Sequence, residues 1–100
     1  TYDSIKLSWV GDWKKFTLSK ETRDLMRGLI ESSNEIEQYG DVKRHLYGIA
    51  KKHLDRLESL FDIVFLSIHY DNGYNDEDDE VKIWGPDPGY LTITFSKINI

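Results

Sequence analysis

"DVKRHLYGIAKKHLDRLESLFDIVFLSIHY", residues 41–70, changes its periodicity part-way along, and the fold follows from where the change falls. Over the first two thirds, Val42, Leu46, Ile49, His53, Leu57 and Leu60 recur at three- and four-residue spacing, with Ala50, Leu54 and Phe61 widening the stripe. This spacing puts them on one face of an amphipathic helix, while Lys43, Arg44, Lys51, Lys52 and Arg56 fall mostly elsewhere. From Asp62 to Tyr70 branched and aromatic residues take over, and the unbroken apolar run Ile63–Leu66 predicts a central strand buried on both faces.

Upstream, Asp41 suits the N-cap of that helix and Gly40 the end of an earlier one, since glycine takes a left-handed backbone conformation without a Cβ clash. The earlier helix starts after Ser19, whose hydroxyl can accept from free first-turn N–H groups. It carries Leu25, Met26, Leu29 and Ile30 and extends through Ile36 towards Tyr39. The two form a helical hairpin. Before them, Ile5, Leu7 and Trp9 alternate within Ser4–Val10, which predicts a first strand with one buried face, ended by Gly11 and Asp12.

Downstream, Val81–Trp84 reads as a third strand, "GPDPG" (residues 85–89) as a turn, and Tyr90–Ile98 as a fourth strand with Leu91, Ile93 and Phe95 inward. The order is β-α-α-β-β-β. It implies one α+β domain over residues 1–100, in two layers: a four-stranded, mainly antiparallel sheet with the helical hairpin on one face. The first strand can flank either the second or the fourth. Lys6, Ser8, Thr92, Thr94 and Ser96 would then line the opposite, open face.

With 39% hydrophobic and 31% charged residues, the chain can bury a core without staples, so folding calls for no cofactor. The absence of cysteine removes disulfides and thiolate chemistry and suits a reducing compartment, with a cytoplasmic location as the expectation. No apolar run is long enough to span a bilayer and nothing resembles a signal peptide, although a start at Thr1 leaves an earlier segment open.

The net charge of −5 is unevenly spread. Residues 1–61 hold ten acids against eleven Lys or Arg, whereas residues 62–100 hold eight acids against two. The acids concentrate in "DNGYNDEDDE", residues 71–80, with six carboxylates. An Asn72–Gly73 hairpin turn would place Asp71 opposite Tyr74 and set Asp78 and Asp79 against the apolar strand, so a longer loop resuming near Glu80 is the better reading. Adjacent carboxylates about 6.5 Å apart repel by roughly 0.6 kcal/mol in water and about four times that at an interfacial dielectric near 20. Only Lys, Arg or a cation can therefore cover such a run. Its charge disfavours direct contact with nucleic acid or a membrane and favours a basic protein.

Reaction chemistry finds less support. An EF-hand counted back from Gly73 would begin at Ile68, which cannot ligate calcium. His45 and His53 lie two helical turns apart, about 12 Å, too far to share a metal. His69 and Asp71 point to the same side of a strand and form the most enzyme-like pair, but no nucleophile, second acid or phosphate-cradling loop accompanies them. Lys14, Lys15, Lys20, Arg23 and Arg27 with Trp13 and Phe16 form a basic aromatic cluster, interleaved with Asp12, Glu21 and Asp24, and read best as a solvated face.

The chain resembles toxin-immunity proteins and phage-encoded inhibitors in general character, being small, acidic and rich in aromatics, without a family motif. The expectation is a non-enzymatic binding protein with no metal, cofactor or catalytic residue, neutralising a basic partner such as a toxin or nucleic-acid-acting enzyme. Asp71, Asp76, Glu77, Asp78, Asp79 and Glu80 would supply charge, and Tyr74 and Trp84 the anchors. Alternatives are a phage-type nucleic-acid mimic, a small hydrolase or nuclease using His69 and Asp71, and a subunit that self-associates through the open face or an edge strand. The sequence leaves the oligomeric state open.

Overall fold

A computed structural model describes residues 2–11, 18–35, 41–71, 78–86 and 89–97. The elements run β1 (Tyr2–Gly11), α1 (Lys20–Ser33), α2 (Val42–Lys52), α3 (Leu54–Phe61), β2 (Ser67–Asp71), β3 (Asp79–Trp84) and β4 (Gly89–Lys97). The strands form one antiparallel sheet in the order β1-β4-β3-β2, with the helices packed on one face. This is the α+β architecture the periodicities imply, and β1 takes the place beside β4.

Alternation builds the core. Val81 and Ile83 of β3, Leu91, Ile93 and Phe95 of β4, and Ile5 and Leu7 of β1 point towards the helices and are buried. They meet Leu25 and Leu29 of α1, Leu46, Ile49 and Ala50 of α2, and Leu57 and Phe61 of α3. Both predicted N-caps form: the Ser19 hydroxyl accepts from the Thr22 N–H at 3.2 Å, and the Asp41 carboxylate from the Arg44 N–H at 3.1 Å. α1 stops at Ser33, capped by Asn34, and the predicted extension over residues 36–40, including Gly40, lies outside the described residues. So do parts of two other readings, the 12–17 segment with its basic aromatic cluster and the middle of the 85–89 turn.

Two expectations are corrected. The second helix is not continuous but bends at His53, which closes α2 and opens α3. The backbone ladder survives the bend, with His53 N–H donating to Ile49 O and Leu57 N–H to His53 O, while the imidazole turns in against α1 near Gly28, its Nε2 3.5 Å from Ser32 Oγ.

The second correction concerns Ile63–Leu66, which is not a strand. Asp62 takes a left-handed conformation (φ 53°) and ends α3, and the Phe65 N–H that a sheet would need donates instead to Glu58 Oε2 at 2.9 Å. Phe65 is buried and Ile63 packs partly buried against the core, but Val64 and Leu66 remain 67% and 68% exposed, so the run has one inner face rather than two buried faces. β2 starts only at Ser67 and lies at the sheet edge, because the centre is occupied by β3 and β4.

Gly89 shows why β4 begins where it does. It has φ +141°, and a Cβ there would sit 2.5 Å from Val10 O on β1, so any side chain would push the two strands apart.

His53 gives the fold a testable acid response. Partial burial, followed by the charges of Lys52 and Arg56, holds its imidazole below the ordinary value of 6.5. The unfolded chain therefore takes up the proton first. The contribution of neutral His53 to stability is complete above the unfolded value and is lost as pH falls through the lower folded value. Urea unfolding at about pH 7.5 and about pH 5 should show His53→Gln losing less stability on acidification than the wild type. Equal losses would remove His53 from the acid response.

Candidate partner-binding face

Among the described residues one face of the sheet carries no helix, and its register arranges that face in rows. At one end Ser4 faces Ser96, whose hydroxyl donates to Asp78 Oδ2 at 3.3 Å. The next row crosses all four strands as Lys6, Thr94, Glu80 and Asp71, and the third as Ser8, Thr92, Lys82 and His69. The fourth is Val10, Tyr90, Trp84 and Ser67. Same-face neighbours along a strand are about 6.6 Å apart, so the acidic row lies about 13 Å from the aromatic one. All five residues expected on the open face are there.

Asp71 pairs with Glu80, so the register is not that of a tight Asn72–Gly73 turn with Asp71 opposite Tyr74. Two carboxylates directly opposite repel, and Lys82 offsets this by reaching Asp71 Oδ2 at 2.8 Å. The bond to Asp71 raises the Lys82 ammonium above its ordinary value, partial desolvation opposes that rise, and the charges of Asp71, Tyr90 and Glu80 add to it. The same ammonium lies 5.2 Å from the Tyr90 ring centre, and Tyr90 stacks at a tilt on Trp84, their centroids 4.4 Å apart. Lys82 thus joins the acidic row to an aromatic pair in which Trp84 stays exposed.

The predicted site residues divide. Asp71, Asp78, Glu80 and Trp84 are gathered at this face; Tyr74, Asp76 and Glu77 lie outside the described residues. Asp79 is the exception and a correction: it is 1% exposed and points to the helix side. The Tyr2 hydroxyl donates to its Oδ2 at 2.8 Å, the Tyr70 hydroxyl to its Oδ1 at 3.0 Å, and Lys97 Nζ lies 3.2 Å from Oδ2. Burial, then the bond to Asp79 and its charge, pushes the Tyr70 hydroxyl up from its ordinary value, so it stays a donor. With Asp71 bound to Lys82 and Asp79 to Lys97, the described acids of the stretch outside an ion pair are Asp78 and Glu80.

Sequence reasoning missed Tyr2. Alternation counted back from Ser4 puts it on the open face, but a bulge between Tyr2 and Ser4 inserts one residue, and Tyr2 pairs with Lys97 on the core side against the Phe95 ring.

His69 and Asp71 do share a face, as their spacing implies, but the Asp71 carboxylate is held by Lys82 and His69 stands across from that same lysine. Among the described residues no three His, Asp or Glu side chains form a metal-holding group, and Arg27 of the basic cluster lies 3.9 Å from Asp24. No described helix is long and apolar enough to cross a membrane. No family model, curated protein or solved structure matches the chain.

The Asp79 cluster sets a stability test. Asp79→Asn leaves Lys97 without its counter-charge and two tyrosine hydroxyls competing for one acceptor oxygen, and should cost about 2–4 kcal/mol. Tyr2→Phe should cost about 1–2 kcal/mol. Urea midpoints followed by tryptophan fluorescence decide: an Asp79→Asn midpoint equal to the wild type's would show that the cluster holds nothing together.

Proposed function

We propose that the chain is a small binding protein that neutralises a basic partner, of the immunity or antitoxin type, acting on a nuclease or another nucleic-acid-acting enzyme. The observation that carries the reading is the pairing of an exposed Trp84, stacked on Tyr90, with an acidic margin of Asp78 and Glu80 on the sheet face away from the helices. Aromatic anchors supply contact area at little entropic cost, and charge at the margin speeds encounter with a surface of opposite sign. Asp76 and Glu77 adjoin that margin in sequence and add to the same sign. A phosphate backbone would meet repulsion there, whereas Lys and Arg side chains would not.

Engagement of Asp71 by Lys82 favours binding over the hydrolase alternative, because it removes the carboxylate that would orient His69 as a base. The wild type is accordingly expected to show no turnover in a screen against nucleotide and ester substrates.

The reading is tested by capturing the partner on immobilised protein and following binding and partner activity together. Association should weaken at least tenfold between about 50 and about 300 mM salt. Asp78→Asn with Glu80→Gln should mainly slow association, and Trp84→Ala should cost about 2 kcal/mol, chiefly by faster dissociation. A captured partner that is acidic, or an affinity unmoved by both salt and amide replacement, would end the electrostatic reading. A gene for a basic nuclease-like toxin immediately upstream would favour an immunity role.

A further inference from the structure

The outer edge of β2 carries a second surface, with the opposite sign of charge. Among the described residues β2 has no strand on its outer side, so alternate N–H and C=O groups face outward there. Alongside runs a groove of about 410 Å³ between that edge and the start of α2. Lys43, Arg44 and Tyr47 line it from α2, and Ile68 and His69 from β2. Residues 43, 44 and 47 fall three and four positions apart, so all three project from one side of the helix. Asp41 also borders the groove, but its carboxylate is engaged in capping α2 at Arg44 N–H. In a chain of net charge −5, the groove is locally cationic.

We infer that this groove takes an extended acidic peptide segment of a partner protein, which adds to β2 as a fifth strand. Edge backbone groups supply the hydrogen-bonding row, and a helix beside an edge strand supplies side-chain recognition. The register then dictates the pattern. Side chains of the added strand next to Ile68 and Tyr70 point to the helix side and meet Lys43, Arg44 and Tyr47; their neighbours point to the open side near His69 and Asp71. Acids are therefore wanted at every second position, with small neutral residues between them, because Lys43 and Arg44 lie on the helix side. A nucleic acid offers the charge but no partner for the backbone row. This surface is separate from the acidic face and does not depend on the function proposed for it.

The probe is a fluorescein-labelled octapeptide alternating Thr and Glu, capped at both ends. It is compared by fluorescence anisotropy with a Thr–Lys octapeptide, with a Thr–Glu octapeptide N-methylated at alternate amides, and with a single-stranded thymidine oligonucleotide. The Thr–Glu peptide should bind the wild type and shift the backbone amide resonances of Lys43–Tyr47 and Ser67–Asp71. N-methylation, the Thr–Lys pattern, or the double variant Lys43→Glu with Arg44→Glu should each weaken binding at least tenfold. The double variant keeps its fold, since both side chains are exposed and acids are favoured in the first turn of a helix. Absence of binding, equal binding of the Thr–Lys or N-methylated peptide, or undiminished binding to the double variant would overturn the inference. An oligonucleotide that binds as tightly and competes at the same resonances would overturn it too. A wild type that binds nothing while Asp76→Asn with Glu77→Gln binds the peptide would assign the groove to the chain's own acidic connection and refute a partner segment.

Discussion

A single buried carboxylate ties the sheet together at one end. Asp79 opens β3; the residues that satisfy it come from every other strand, Tyr2 from β1, Tyr70 from β2 and Lys97 from β4. A charge so placed is costly to desolvate and is tolerated only with counter-charge and hydrogen bonds in good geometry. The arrangement therefore acts as a specification of register. Slip any strand by one residue and its contribution turns to the other face of the sheet, leaving a buried anion short of a donor. The bulge in β1 makes sense in the same terms, since it brings Tyr2 to the inner side at the position where Asp79 needs it.

That role divides the acidic stretch by a change of face at one peptide bond. Asp79 points inward and Glu80 outward, as consecutive strand residues must. Lysines then divide the charge further: Lys97 answers Asp79 inside, Lys82 answers Asp71 outside. What reads in sequence as one block of negative charge is, among the described residues, a structural anion, a compensated pair, and Asp78 and Glu80 at the open face. Lys82 has the additional effect of holding its ammonium over Tyr90, so the acidic margin and the aromatic pair are braced by one side chain.

The legible parts of the sequence were those whose physics is local or periodic. The helix stripes, the Ser19 and Asp41 caps and the alternation of β4 depend on spacings of two to four residues, and these placed the helix starts, the core and the open face correctly. The failures had non-local causes. Ile63–Leu66 has the composition of a buried strand, yet a left-handed Asp62 and a hydrogen bond from Phe65 to the Glu58 side chain divert it, and neither leaves a mark in composition. His53 fits the helical stripe, so its bend is invisible to a periodicity that tolerates it. The burial of Asp79 requires partners from both ends of the chain, and the inward turn of Tyr2 requires a bulge that alternation cannot register. Within the candidate site, Trp84 and the acids were legible as residue types; their division into inner and outer sets was not.

The two edge strands of the sheet, β1 and β2, bear on which surfaces can receive a partner. β1 presents a ten-residue edge, long enough to pair with a second copy, but Lys6 lies near its middle and the bulge distorts its start. In an antiparallel pairing of two such edges about their centres, the two lysines would approach one another, a like-charge contact that disfavours the duplex. β2 is half as long, and a five-residue edge buries too little by itself to hold a partner strand. It has something β1 lacks, a helix start running beside it with two cationic side chains and a tyrosine. Side-chain recognition can make up for a short ladder, and it selects by charge what the backbone cannot select at all. The long edge is thus shielded against its own kind, while the short one is open only to segments that bring acids in the right alternation.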